Sequence, residues 1–335
     1  MSQLREQDTI FISGATGTQG SATVRALLRL SCPSATLTIH ALVRDCDSAQ
    51  ARALANLSPL VKLFKGHHDD PSSIAAAAES CTAAMFILLT GWDDPGAEQR
   101  HAQNILSRLS SIPTIKRIVY PTTAGVKDPR VPGNFKNLRE GSLRYTYYRG
   151  KSANESTVQK VAEQNGWAWT IFKPATFLSN FLKPMADFMY PELKEHRIVT
   201  VMPPEYEFSF VDPDDIGRFS AAALLGPGKG RNLPDLSSQV IDLASQVGTL
   251  EDITRAMGKV LAKYGHKVNI VVEHVTVEEA ERRGQNLVKI QNEEFLVENP
   301  VVVDLARVRD FGFPLGTIEG FLEREIERLK EVLAL

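Results

Sequence analysis

Cysteine is scarce and unpatterned in this sequence. The three residues, Cys32, Cys46 and Cys81, are odd in number, irregularly spaced and form no CxxC. That argues against a disulfide framework or a zinc site and fits a reducing compartment. No apolar run approaches the roughly 18 residues of a membrane span. The opening MSQLREQDT has no apolar stretch of the kind a secretory signal carries. Charge of one sign is missing too. The 38 Lys and Arg nearly balance 40 Asp and Glu, for a net charge of -2. Nothing here attracts nucleic acid or an anionic membrane. Repeats and low-complexity stretches are also lacking. The expectation is a cytoplasmic protein with no metal, 335 residues long and built as one large or two coupled domains. Its 43% hydrophobic and 23% charged residues are ordinary for a globular chain.

What is present is an alternation. Asp8 to Ser13 is short, apolar and β-branched, which predicts a buried strand, and Gln19 to Leu30 predicts a helix. Strands are expected at Thr36 to Val43, Leu60 to Lys65, Ala84 to Leu89, Lys116 to Tyr120 and Trp169 to Phe172. Helices are expected at Pro95 to Leu109 and Lys151 to Gln164, and flexible loops at Lys127 to Arg144 and Gly226 to Ser238. Repeated βα units imply an α/β fold: a Rossmann-type doubly wound parallel sheet, with a smaller C-terminal region covering the substrate. The sheet domain is expected over 1–174, with 205–245 returning to it through a helix at Pro213 to Leu225 and a strand at Gln239 to Ala244. Most of 175–335 is expected to form the smaller region, including a capping box at Thr249 to Asp252 and an amphipathic helix at Thr317 to Leu333.

The first strand runs into Gly14-Ala-Thr16-Gly17-Thr18-Gln19-Gly20, and a helix follows. This is the context of a dinucleotide-phosphate site. Gly14 permits the tight turn, Gly17 lets the backbone approach the pyrophosphate, and Gly20 lets the helix lie close on the strand. The free N–H groups of the helix start then face the phosphates. The second strand ends in Val43-Arg44-Asp45, with Arg44 24 residues past Gly20. A guanidinium there suits a ribose 2′-phosphate and a carboxylate suits a free 2′-hydroxyl. Arg44 comes first, which favours NADP(H), while Asp45 keeps NAD(H) open.

The segments GATGTQG, LVRD and IFKPATFLSNF resemble the NmrA-like branch of the atypical short-chain dehydrogenase/reductases, relatives of isoflavone-reductase-like enzymes. The resemblance runs from about Thr9 to Ala244 and more loosely beyond. It implies a Rossmann domain with a small C-terminal region near the nicotinamide. It also implies that Thr90, Gly91 and Trp92 line the cofactor, and that Pro174, Ala175, Thr176 and Phe177 meet the nicotinamide. One departure stands out. Where the family carries Gly-Asp after the third strand, the Asp near the adenine, this chain has Gly66-His67-His68-Asp69. Members of the branch include NADPH-dependent reductases and NADP(H)-sensing regulators that act through protein partners.

Tyr147 and Lys151 are four residues apart at the start of a predicted helix, which places them on one face. A lysine ammonium beside a tyrosine lowers the phenol's pKa and suits it to proton transfer. The lysine can also hold the nicotinamide ribose, and in isoflavone-reductase-like relatives it is itself the acid–base. The superfamily's Ser or Thr after the fifth strand matches Thr123, with Thr122 as alternate. The residues from Phe177 to Tyr190 are rich in aromatics and Met, which suits an apolar pocket. These readings favour an NADPH-dependent reductase of a carbonyl or an activated C=C or C=N bond in a lipophilic small molecule. The alternative is a regulator without turnover.

Overall fold

The computed structural model describes residues 7–30, 36–91, 93–94, 96–227 and 232–335. Cys32, Trp92, the first residue of the expected Pro95 helix and part of the 226–238 loop lie outside them. In chain order, β1 (Gln7–Ser13), α1 (Thr18–Leu30), β2 (Thr36–Val43), α2 (Ala49–Ala55), β3 (Val61–Lys65) and α3 (Pro71–Ala78) form the first half of a sheet. The next elements are β4 (Ala83–Phe86), α4 (Ala97–Leu109), β5 (Arg117–Pro121), α5 (Leu143–Asn165) and β6 (Ala168–Pro174). The chain continues through β7 (Thr176–Phe177), α6 (Met185–Met189), β8 (Arg197–Thr200), β9 (Phe208–Val211), α7 (Pro213–Leu225) and β10 (Gln239–Leu243). It ends with β11 (Gln246–Gly248), α8 (Leu250–Lys263), β12 (Val271–His274), α9 (Val277–Arg282), α10 (Leu287–Glu298), α11 (Leu305–Arg309), α12 (Ile318–Arg324) and α13 (Ile326–Val332).

The main sheet has seven strands in the order β10-β6-β5-β4-β1-β2-β3. β1 pairs in parallel with β2 on one side and with β4 on the other, so the winding reverses between β1 and β4. A ligand crevice forms outside the carboxyl ends of strands at such a reversal. Phe11 packs in a core with Ile74, Leu106 and Val158 from α3, α4 and α5. Ile10 and Ile12 are fully buried and alternate with it, which directs them to the opposite face. There α7 lies directly on α1: a Cβ on Gly217 would stand 2.5 Å from the Ala22 carbonyl.

The chain divides into two compact units. One holds residues 1–134, 138–173 and 216–241; the other holds 135–137, 174–215 and 242–335. The second unit has a three-stranded sheet, β11-β9-β7, and the parallel pair β12-β8. Its core gathers Phe181, Phe210, Ile253, Met257, Val260 and Phe321. Thr249 and Asp252 form the expected capping box. Within this unit Arg324 grips both Asp212 oxygens, at 2.7 and 2.9 Å.

Most boundaries fall within one or two residues of the sequence expectation, and three elements depart further. The Tyr147 helix begins at Leu143, because the Ser142 hydroxyl accepts the Tyr145 N–H at 3.1 Å and caps it. The expected Thr317 to Leu333 helix breaks at Glu325 into α12 and α13. The expected Ala84 to Leu89 strand is Ala83 to Phe86, so Thr90 and Gly91 follow an irregular turn.

Candidate functional site

The glycine loop separates internal from outward needs. Gly14 sits at φ +72°, in the left-handed region. The Gly17 N–H closes a turn on the Gly14 carbonyl at 3.1 Å. A Cβ on Gly20 would stand 2.3 Å from the Gly14 oxygen and 2.7 Å from the Ala15 Cα, so that glycine is required by the fold itself. A Cβ on Gly17 would meet only the Gly14 oxygen, at 3.4 Å. Gly17 and Thr18 are exposed, Thr16 and Gln19 half-buried, and no acidic residue stands in the first turn of α1. The Gln19 Oε1 atom is buried without a hydrogen-bond partner. An open backbone and a helix start with no acidic side chain fit the phosphates of a ligand, and the orphaned Gln19 acceptor fits a hydroxyl donor on the same ligand.

At the end of β2, Arg44 is exposed and has no ion pair among the described residues. Asp45 is engaged in its own loop: its Oδ1 accepts the Asp47 N–H at 2.9 Å, and its carbonyl accepts from the Ser48 hydroxyl that caps α2. The segment after β3 folds back across the strand ends. His68 Nε2 meets the Ser13 hydroxyl at 3.1 Å, and Asn104 of α4 donates to the His68 carbonyl at 2.9 Å. The His68 and His101 rings stand edge to face, 5.2 Å apart. His101 and Arg100 both bind Asp69, at 2.9 Å each. Burial, then His101, hold the His68 pKa down at about 4 against the opposing pull of Asp69; His67 and Arg44 lower it further. No three His, Cys, Asp or Glu groups stand together as a metal site among the described residues.

Tyr147 and Lys151 lie one turn apart on α5, with the Lys151 Nζ 5.5 Å from the Tyr147 ring centroid. The phenol is hydrogen-bonded to Thr123. The expected effect of the lysine does not appear. Burial, then Tyr148, push the Tyr147 pKa well above the ordinary phenol value, with the Thr123 hydrogen bond opposing. The physical reason is that the lysine's charge is taken. Its Nζ lies 2.7 Å from Glu98 Oε1, with both side chains under a tenth exposed, and 3.3 Å from the Leu88 carbonyl. Glu98 also accepts from Thr90 at 2.9 Å and from Tyr120 at 3.4 Å. The Thr90 hydroxyl thereby spends its one proton on Glu98 and keeps only its acceptor lone pairs for other partners. A Cβ on Gly91 would stand 2.8 Å from the Asp94 carbonyl, so this glycine serves the turn. Thr122 Oγ1 is buried without a partner.

Sequence reasoning missed Glu98. Its only signal was an acidic residue in the first turn of a helix, a placement that the helix dipole favours anyway.

Pro174, Ala175, Thr176 and Phe177 belong to the second unit. The Ala175 N–H bonds the Leu243 carbonyl at 2.9 Å, and Thr176 and Phe177 form β7 against β9. The apolar segment that follows is mostly core. Leu178, Phe181, Leu182 and Tyr190 are at most 3% exposed, while Met185 and Phe188 reach 42% and 50%. Phe188 borders a cleft of about 260 Å³, whose other walls include Glu192, Gln285, Asn286 and Lys289.

The NmrA-like family model matches residues 6–305. The chain belongs to the NmrA-like family. No curated protein matches this NmrA-like sequence. Solved structures share the family member's fold at low identity. Triphenylmethane reductase from Citrobacter sp. is 16% identical with a TM-score of 0.69, over 98% of this chain and 100% of that one. An NADPH-dependent quinone oxidoreductase from Escherichia coli, in complex with NADPH, is 16% identical with a TM-score of 0.66, over 95% and 99%. NmrA, a negative transcriptional regulator in complex with NAD, is 18% identical with a TM-score of 0.68, over 99% of both chains.

Proposed function

We propose that this chain binds NADP(H) and reduces a carbonyl, or an activated C=C or C=N bond, in a lipophilic small molecule. One observation carries the cofactor choice: Arg44 is exposed and uncommitted at the end of β2, while Asp45 is turned into its own loop. The similar reductases that work with NADPH support the reading. When bound, the cofactor supplies a hydride. Tyr147, kept as a phenol at neutral pH, is suited to release its proton to a substrate oxygen, and Thr123 is placed to donate to the phenolate left behind. Lys151, held by Glu98, is available to position ribose hydroxyls only where it can share its remaining N–H donors. That commitment of Lys151 favours a second reading, a cofactor-sensing regulator that acts through a protein partner, as NmrA is a regulator.

Calorimetric titration with NADPH and NADH tests the cofactor assignment. Wild type is expected to prefer NADPH. Arg44→Ala should weaken NADPH by about 1.5–3 kcal/mol, the worth of a charge-assisted pair. That is about one to two decades. Equal wild-type affinities, or an unaffected Arg44→Ala, would contradict it. Turnover of quinones, triphenylmethane dyes or aromatic ketones with NADPH separates the reductase from the regulator. A panel with no turnover alongside tight NADPH binding favours the regulator.

Gly17 and Gly20 should fail differently. Gly17→Val is expected to fold, with circular dichroism and melting like wild type, and to lose NADPH binding. Gly20→Ala forces its methyl into the Gly14 carbonyl and should cost about 1–3 kcal/mol or more of stability. Wild-type affinity in a folded Gly17→Val would show that the loop does not approach the phosphates.

A further inference from the structure

We infer that Glu98 takes up a proton from solvent when the dinucleotide binds, so that the site loads a proton together with its cofactor; this rests on the NADP(H) reading above. The cause is a shortage of hydrogen-bond donors. A lysine ammonium has three N–H groups and no acceptor. Lys151 directs one at Glu98 Oε1, 2.7 Å away, and one at the Leu88 carbonyl, 3.3 Å away. Holding both hydroxyls of the nicotinamide ribose asks for two more, so four acceptors meet three donors. A protonated Glu98 supplies the fourth as its own O–H.

The pair cannot relax into water. Lys151 is 6% exposed and Glu98 3%. Helix α5 lies tight on the start of α4: a Cβ on Gly150 would stand 2.4 Å from the Gln99 amide nitrogen. The other groups that face Glu98 bring no positive charge. Thr90, in the turn after β4, donates to Oε2, and Tyr120 of β5 donates to Oε1. Burial keeps Tyr120 and the nearby Tyr147 of α5 as neutral phenols. Beside Tyr120, Asn154 is uncharged and Glu155 is paired with Lys173 at 2.9 Å. On α4 itself, Arg100 binds Asp69 and Asp94, and His101 binds Asp69. Among the described residues, the cation paired with Glu98 is Lys151. Each N–H that Lys151 turns toward a ribose hydroxyl weakens that pairing. A buried carboxylate losing its counterion favours the neutral form, so the proton comes from solvent to a Glu98 oxygen.

Titration calorimetry of the full-length protein with NADPH near pH 7.5, in two buffers of different ionisation enthalpy, counts the protons. The wild type should take up about half a proton or more per NADPH bound. Its affinity should fall as pH rises, by up to about tenfold per pH unit for one full proton. Glu98→Gln carries the extra donor permanently, as an amide N–H. It should bind NADPH with no such uptake and with an affinity nearly level over the same range. The infrared difference spectrum of wild type on adding NADPH should gain the carbonyl band of a protonated carboxyl group, which keeps the test open if Glu98→Gln fails to fold. NADPH binding without uptake, or without that band, overturns the inference and leaves the dinucleotide reading standing. Undiminished uptake in Glu98→Gln does the same, since His67 or His68 near Arg44 would then be taking the proton. A wild type that does not bind NADPH overturns both.

Discussion

Replacing Tyr147 with Phe will lower turnover about 10²–10⁴-fold, the usual worth of a positioned proton donor, and will leave NADPH affinity almost unchanged. The variant deletes one oxygen and keeps the ring that stacks edge-on against Tyr148. The pH dependence carries the mechanism. Burial raises the Tyr147 pKa above the ordinary value near 10. Reduction needs the protonated phenol, so the rate should stay level from pH 6 to 9 as far as this group is concerned. The reverse reaction needs the phenolate and should be slow and rise with pH. Steady-state rates of both directions, measured with whichever substrate the panel yields, check this. A reduction rate that falls with an apparent pKa near 7 or 8, or that survives Tyr147→Phe, would hand the proton to another group.

Lys151→Met, by contrast, is expected to act first on stability. It strips the partner from Glu98, which is 3% exposed, and an uncompensated buried charge costs about 3–5 kcal/mol. Glu98→Gln should cost a similar amount by stranding the lysine. The double variant, with no charge left to compensate, should recover most of the loss. Urea unfolding followed by the fluorescence of Trp167 and Trp169, which lie in the same unit as the pair, reads each step. Single variants within about 1 kcal/mol of wild type, or a double variant at the sum of the singles, would show that the pair is not coupled. The practical point is that lost activity in Lys151→Met says nothing about catalysis until the fold has been checked.

These residues also mark what the sequence made legible. The glycine loop could be read because its requirements are local: a buried strand, a left-handed turn and a helix start lie within one short segment. Arg44 could be read for the same reason, since the register from the loop to the end of β2 is short. Glu98 could not, because its link to Lys151 is made by packing α4 beside α5 across many residues. Nor could the Ser13–His68 contact, which depends on a segment leaving β3 and folding back across two strand ends. The start of α5 was hidden by composition: Leu143 to Tyr148 is aromatic and polar with little periodicity, and only the Ser142 cap marks it. The break at Glu325 lies inside a continuous apolar pattern, so periodicity alone reads through it.

The contact of Gly217 with Ala22 limits how this molecule can be rebuilt. The glycine loop looks like a portable cassette, a strand, turn and helix that could be exchanged with a relative's. It is not one. Its helix rests on a bare backbone supplied far downstream by α7, and any side chain at 217 would push against α1 directly behind the loop. A chimera that imports 7–30 must import a matching α7 as well. A library that varies position 217 will lose dinucleotide binding without altering a single residue near the phosphates.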